Sequence, residues 1–474
     1  MRKYILVFTV LFFYASLLQA KIKLPAIIAD GMVLQQSSKV KIWGETDKAN
    51  NVTIVSSWNK KKYTVLPSND GKWMMEIETP QAGGPYTLTL SDGESIVLKN
   101  ILIGEVWFCS GQSNMEMPMN GYSGQPINGY VDALLDAKPS DNIRYFKVEK
   151  AYNNKKENDC KGKWLETSPT TLGNCSAAAY YFAKRLQKNL NVPVAVIISS
   201  WGGTRIEAWM DSEVLENQFP QVSLAVLKKD IAEVKNPISD PSLIYNAMIN
   251  PLISYGIKGF LWYQGESNRF DPKLYKALFP AMVKSWREKW KSGDLPFYYV
   301  QIAPYNYNHP DSLQAAELRQ SQFASLQQIP NSGMVVTADV GMATKIHPPQ
   351  KDVVGFRLAL LALAKTYKQA GIPFSGPMYK SAKTEKGKVV LDFDFAERGL
   401  HTTNNSITGF ELAGADNKFY PAKASLLENA TKIQLECSEI QSAVYVRYAY
   451  RNYAPVDIFN NWNLPLSPFF AEMK

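Results

Sequence analysis

The chain has 474 residues, of which 46% are hydrophobic and 20% charged, with a formal net charge of +9 and four cysteines. Those proportions belong to a folded globular protein and exclude a disordered, collagenous or coiled-coil chain; at roughly 150 residues per domain the length suggests about three domains. The Lys and Arg residues are dispersed, with Lys60-Lys61-Lys62 the longest run, so the charge reads as a solvated surface rather than the concentrated basic face of a nucleic-acid binder.

Residues 1–20 open with Arg2 and Lys3, continue as an uncharged apolar run and end Leu18-Gln19-Ala20. That is the order of a secretory signal peptide, too short for a comfortable membrane span, with an uncleaved anchor as the alternative. Its removal takes the charge from +9 to +7 and places the mature protein in the periplasm or outside the cell. No later stretch is apolar for long enough to cross a bilayer, so no stable membrane insertion is expected. Export permits disulfides, yet Cys109, Cys160, Cys175 and Cys437 show no CxxC or Cys/His zinc spacing. With only His309, His347 and His401 in the chain, a His-rich metal site is excluded by counting.

Residues 21–100 read as a β-domain. Alternating runs at 40–43, 52–55, 73–77 and 86–90 are separated by turn signals such as Ser68-Asn69-Asp70-Gly71 and Gly83-Gly84-Pro85, the spacing of a small sandwich. From 101 to 370 apolar strand-like runs at 105–109, 192–199, 258–263, 297–302 and 334–338 alternate with helical patterns. This predicts a parallel sheet covered by helices. One helix is predicted near 176–190, with Ala179, Phe182, Ala183, Leu186 and Leu190 on one face, and a last one over 352–367. The β-rhythm returns over 371–474.

Chemistry in an open α/β sheet sits at the carboxyl ends of its strands. The predicted strands are followed by Gly111-Gln112-Ser113-Asn114, by Ser200-Trp201-Gly202-Gly203-Thr204, by Gln264-Gly265-Glu266-Ser267-Asn268, and by Asp339 with Ile346-His347-Pro348. Polar side chains beside Gly or Pro on four tips suit a site built from convergent loops. Ser113 follows a turn that presents its Oγ, and a serine nucleophile needs a general base. His347 stands after a sheet strand and before the final helix, whereas His309 lies in an Asn/Pro-rich loop and His401 in the C-terminal β-region. Gly203 offers an unobstructed N–H; Gln264 or Asn268 offers a side-chain amide for an oxyanion hole. A buried Cys109 thiol is a weak rival nucleophile.

The string Gly104-Glu105-Val106-Trp107-Phe108-Cys109-Ser110-Gly111-Gln112-Ser113-Asn114-Met115 resembles the nucleophile block of the sialate O-acetylesterase family, within the SGNH hydrolase superfamily. Ser200 to Thr204, Trp262 to Asn268 and Ile346-His347-Pro348 resemble its later blocks, and flanking similarity runs from Met32-Val33-Leu34-Gln35 to Leu464-Pro465-Leu466-Ser467-Pro468-Phe469. The resemblance implies an SGNH-type three-layer α/β/α core with a parallel sheet, plus N-terminal and C-terminal β-sandwich-like domains. It also implies removal of acetyl groups from sugars without a cofactor. By motif position Ser113 corresponds to the nucleophile, His347 to the base, and Gly203 and Gln264 to oxyanion donors, with Asn268 an alternative to Gln264. Relatives often carry an Asp two or three residues before the His; here those positions are Lys345 and Thr344. Asp339, Glu266 or a backbone carbonyl is left to orient the imidazole, and a Ser–His dyad is also consistent. Arg205, beside the glycine block, either meets a sialate carboxylate or makes an internal salt bridge. The expected substrate is an acetylated sugar or glycan, sialic acid first. The rivals are an acetylxylan or other polysaccharide acetylesterase and a non-catalytic carbohydrate-binding protein.

Overall fold

The computed structural model describes residues 22–473 except 48, 49, 310 and 405; the expected signal segment lies outside the described residues. The central sheet is built from seven strands: β1 (Ser95–Gly111), β2 (Ile143–Val148), β3 (Gly162–Glu166), β4 (Val194–Ser200), β5 (Gly259–Tyr263), β6 (Phe297–Val300) and β7 (Ser332–Val335), in the order β7-β6-β5-β1-β4-β2-β3. All neighbours are parallel except the edge strand β3, which runs antiparallel to β2.

The central strands are largely apolar because both faces are covered; β4 is buried at every position. Successive residues then serve opposite layers. Val106, Phe108, Ala195, Ile197, Phe260 and Trp262 pack in one cluster with Tyr275, Leu278, Met282 and Trp286 of helix α3 (Pro272–Trp290) and Leu318 of helix α4 (Gln314–Gln328). Trp107, Cys109, Val196, Ile198, Leu261 and Tyr263 pack in another with Phe182 and Leu186 of helix α2 (Ala177–Leu190) and Val354 and Leu358 of helix α5 (Lys351–Leu361). The three-layer core is this period-two alternation made visible.

The predicted helix near 176–190 is α2, which starts on the Ser176 side chain accepting from the Ala179 N–H and ends on Asn191 in the left-handed region. Strands β2 and β3 were not expected. Charged residues interrupt both runs, Arg144 and Lys147 in β2 and Lys163 and Glu166 in β3; the Arg144 guanidinium is buried and satisfied by the Gly31 carbonyl at 2.9 Å, by Asn100 and by Glu166 at 2.8 Å.

Strand β1 is 17 residues long and serves two layers. Its first half pairs antiparallel with Gly83–Ser91, residues 102–104 pair with Val33–Gln35, and its second half lies between β4 and β5. The N-terminal β-layer therefore shares its apolar cluster with one face of the central sheet: Val33, Ile42, Val52 and Ile54 are continuous with Phe108 and Trp286. After α5 the chain forms two four-stranded antiparallel sheets, 378–385 with 388–394, 432–436 and 423–427, and 419–421 with 410–413, 445–448 and 469–472. They enclose their own cluster around Leu391, Ile433, Leu412, Val446 and Phe469. The fold is thus mixed α/β, a mostly parallel central sheet flanked by antiparallel β-structure at both ends.

Candidate active site

The tips of β1, β4 and β5 and the loop after β7 meet over one edge of the sheet. They line an open cleft of about 470 Å³ whose walls include Gln112, Ser113, Gly202, Gly203, Glu266 and His347. Ser113 opens a four-residue helix, α1 (Ser113–Glu116), immediately past β1. The turn before it depends on Gly111, whose φ is +139° and whose Cβ, if present, would stand 2.1 Å from the Tyr263 carbonyl oxygen. That close approach lets the Gln112 N–H donate to Tyr263 at 3.0 Å and docks the nucleophile turn on β5.

His347 is half-buried. Its Nδ1 lies 2.8 Å from Gln125 Oε1, and its ring meets Tyr122 edge-on at 5.2 Å between centroids. The Tyr122 hydroxyl in turn donates to the Ser113 carbonyl at 3.2 Å. Burial first, then the nearby Lys351 ammonium, pushes the imidazole down to about 4 from its ordinary 6.5. His309 and His401 stand elsewhere: His401 is on a C-terminal strand, 3.1 Å from Asn463.

Among the expected amide donors the structure separates Gly203 from the rest. Gly203 lines the cleft with φ +78°, and neither its N–H nor that of Ser113 is used by another backbone carbonyl among the described residues. Gly202 is different: its N–H donates to Glu116 Oε2 at 2.5 Å, and Glu116 is paired with Lys150 at 2.6 Å. Gln264 is fully buried and does not line the cleft; its amide hydrogens go to the Thr204 carbonyl at 3.0 Å and Asn268 Oδ1 at 2.8 Å. Asn268 is likewise spent, accepting from the Ile206 N–H and donating to Glu207 at 2.9 Å. Both amides brace the loops and neither is placed to face an oxyanion. Gln112 was not anticipated. Its Oε1 accepts from the N–H groups of Gly265 at 3.1 Å and Ser267 at 3.4 Å, which fixes its amide with the NH2 group away from them, at the cleft wall.

The two carboxylates expected to orient His347 are held by other partners. Asp339 is gripped by both terminal nitrogens of Arg357, at 2.7 and 2.6 Å. Glu266 is buried, its Oε1 accepting from Asn114 at 2.6 Å and its Oε2 without a partner among the described residues; burial raises its carboxyl above the ordinary range. Asn114 is a hub: its amide also donates to the Ile346 carbonyl at 3.1 Å and accepts from Lys351 Nζ at 2.6 Å. Lys351 is buried and pushed down to about 7. One side chain beside the nucleophile therefore ties together the β1 tip, the β5 tip and the histidine loop.

Arg205 makes the internal salt bridge, at 2.6 Å to Glu207, and does not line the cleft. The cleft instead holds Arg269, half-buried, with one nitrogen donating to the Glu266 carbonyl at 2.9 Å and its guanidinium 4.0 and 4.3 Å from the ring centroids of Phe270 and Tyr307. No salt bridge ties it to a carboxylate among the described residues, although its charge favours ionisation of the buried Glu266. All four cysteines are free thiols. Cys109 is fully buried in the core beneath the cleft and its thiol is pushed far up by desolvation, so it is no nucleophile.

Residues 103–363 match the family described as carbohydrate esterase, sialic acid-specific acetylesterase. The chain is similar to the sialate O-acetylesterase of Rattus norvegicus, 28% identical with 93% of each chain covered. It is similar to the enzyme of the same name from Homo sapiens, 27% identical over 94% of this chain and 91% of that one. A crystal structure of a carbohydrate acetylesterase from Xanthomonas citri superposes with a TM-score of 0.86 at 32% identity, covering 96% of this chain and all of that one. The matched stretch runs from the strand that delivers Ser113 to the helix that follows His347 and takes in more than half of the residues, so the chain belongs to this carbohydrate esterase family and is a carboxylic-ester hydrolase.

Proposed function

We propose that this hydrolase removes O-acetyl groups from sialic acids through an acetyl-enzyme on Ser113. The observation that carries the reading is that Ser113, Gly203 and His347 line one cleft and that no acceptor takes the N–H of Ser113 or Gly203 among the described residues. Ser113 Oγ attacks the acetyl carbonyl while His347 Nε2 takes its proton. The oxygen that becomes negative is met by the N–H groups of Ser113 and Gly203, with the Gln112 amide as a third donor; each such donor contributes about 3 kcal/mol to the transition state. Collapse breaks the C–O bond to the sugar, whose oxygen receives the proton from His347. Water then adds to the acetyl carbon, giving its proton to His347, and acetate leaves as Ser113 is re-protonated. The steps need no cofactor.

The sialate reading is supported by the names of the curated relatives and by Arg269, a guanidinium lining the cleft that makes no salt bridge among the described residues and is therefore available to a sugar carboxylate. The rival is a neutral acetylated polysaccharide such as acetylxylan, which offers Arg269 no anion. Acetate release is measured from O-acetylated sialic acid and from acetylated xylan with the wild type and Ser113→Ala. The variant is expected to fold and release no acetate, and the wild type to favour the sialate. Turnover by Ser113→Ala defeats the mechanism, and preference for xylan defeats the substrate assignment. Export rests on the pattern of residues 1–20 and places the enzyme in the periplasm or outside the cell; N-terminal sequencing of protein recovered there is expected to begin at Lys21. A division into residues 21–100, 101–370 and 371–474 is the organisation this reading carries.

A further inference from the structure

A histidine base needs a group on its far nitrogen to fix the tautomer and hold the ring. Neither nearby carboxylate does this here: Asp339 is clasped by Arg357 and Glu266 by Asn114. We propose that the side-chain amide of Gln125 is the positioning residue for His347, a neutral third member whose oxygen accepts the Nδ1 proton and leaves the Nε2 lone pair for Ser113. This rests on the Ser113–His347 reading above.

The observation is direct. Gln125 Oε1 lies 2.8 Å from His347 Nδ1, and an amide oxygen only accepts, so a hydrogen bond in this arrangement requires the tautomer with its hydrogen on Nδ1. The reversed amide would donate to Nδ1 and place the proton on Nε2, the tautomer that cannot accept from a serine. Gln125 is itself set by the backbone: its N–H donates to the Tyr122 carbonyl at 2.9 Å and the Tyr122 N–H donates back at 3.1 Å. The same Tyr122 buttresses the imidazole edge-on and bonds the Ser113 carbonyl. One short loop thereby holds nucleophile and base together.

An amide orients an imidazole without adding a negative charge. The charged groups around His347 are Lys351 from the helix behind it, Glu266 and Arg269 from the β5 tip, and Glu116 with Lys150 across the cleft. None of these carboxylates bonds the ring. The imidazolium formed during each turnover thus lacks the anionic partner of a conventional triad.

The test uses the full-length enzyme with a neutral aryl acetate, so that sugar recognition does not enter. Gln125→Ala is expected to lower kcat about 100-fold with little change in KM, because the base loses its orientation rather than the substrate its site. Gln125→Glu keeps an acceptor at the same reach and adds a charge. It is expected to retain most of the activity and to move the acid limb of kcat/KM upward by about one pH unit or more. Thermal unfolding of both variants reports whether the fold survives; should Gln125→Ala not fold, the Gln125→Glu profile alone decides. A folded Gln125→Ala with wild-type kcat, or an acid limb unmoved in Gln125→Glu, overturns the proposal. Activity in Ser113→Ala overturns the acyl-enzyme reading instead, so the two failures are told apart.

Discussion

Asn114 neighbours the nucleophile but does its work away from the substrate, donating to Glu266 and Ile346 and accepting from Lys351. Removing it strands a buried carboxylate and a buried ammonium at once, and each orphaned polar group costs about 1–3 kcal/mol. Asn114→Ala should therefore lower the urea midpoint and reduce kcat together; an unchanged midpoint would refute the hub. Lys351 reports through pH. Its ammonium is pushed from 10.5 down to about 7 by burial, so between those values the unfolded chain binds more protons than the folded one and stability rises with pH. Lys351→Met should abolish that slope between pH 7 and 9 in denaturation curves. The same cation helps hold His347 down to about 4, and a base must be neutral, so activity is lost as pH falls through that value. The acid limb of kcat/KM is expected near 4 in the wild type and higher in Lys351→Met; a wild-type limb at the ordinary 6.5 would contradict the buried position of the ring.

At the scale of elements, the nucleophile turn is governed by Gly111. Alanine there meets both a left-handed backbone and the Tyr263 carbonyl, an expected loss of about 2–3 kcal/mol, with a fall in kcat because Ser113 must shift. Wild-type stability in Gly111→Ala, read by calorimetry, would show that the turn has slack. Ser176 makes two links from one hydroxyl, capping α2 and donating to the Met115 carbonyl at 2.6 Å. The loop tips were legible in the sequence because glycines punctuate apolar runs, and α2 because its apolar positions share a face. Which amide is free to face a substrate was not legible. Gln264 and Asn268 are used up by each other and by loops 60 or more residues away, a pairing that no local pattern encodes. Gln125 lies in a segment with no motif of its own, and nothing local tells that Arg205 is taken up by Glu207 while Arg269 lines the cleft. Strands β2 and β3 are not legible because each carries two charged residues within five or six positions, and the compensation for the buried Arg144 comes from residues 31, 100 and 166.

At the scale of the molecule, two regimes of packing coexist. The N-terminal layer shares one apolar cluster with the α3 face of the sheet, whereas the C-terminal sheets enclose a separate one. The C-terminal part is attached to α4 by paired hydrogen bonds between Gln320 and Phe470 at 3.0 and 3.2 Å and by the Ala315 N–H donating to Asn452 at 2.9 Å, and to the loop before α4 by an ion pair of Arg451 with Asp311 at 2.7 Å. Shared burial makes elements open together. Native-state hydrogen exchange should give the amides of Ile42 and Ile54 the same opening free energy as that of Phe108, with the C-terminal strands opening at a lower one. Independent, easier opening of the N-terminal layer would refute this coupling.

The continuous strand β1 has an evolutionary corollary. A module that can be shuffled between genes needs a seam where the chain crosses from one body to the next as a linker. Here the crossing is made inside a single extended ladder, with residues 102–104 paired to 33–35 and residue 105 onward to β4. Recombination at that point would have to preserve two registers at once, so the leading β-layer and the hydrolase core are expected to have been inherited together, whereas no strand of the central sheet continues into the C-terminal sheets.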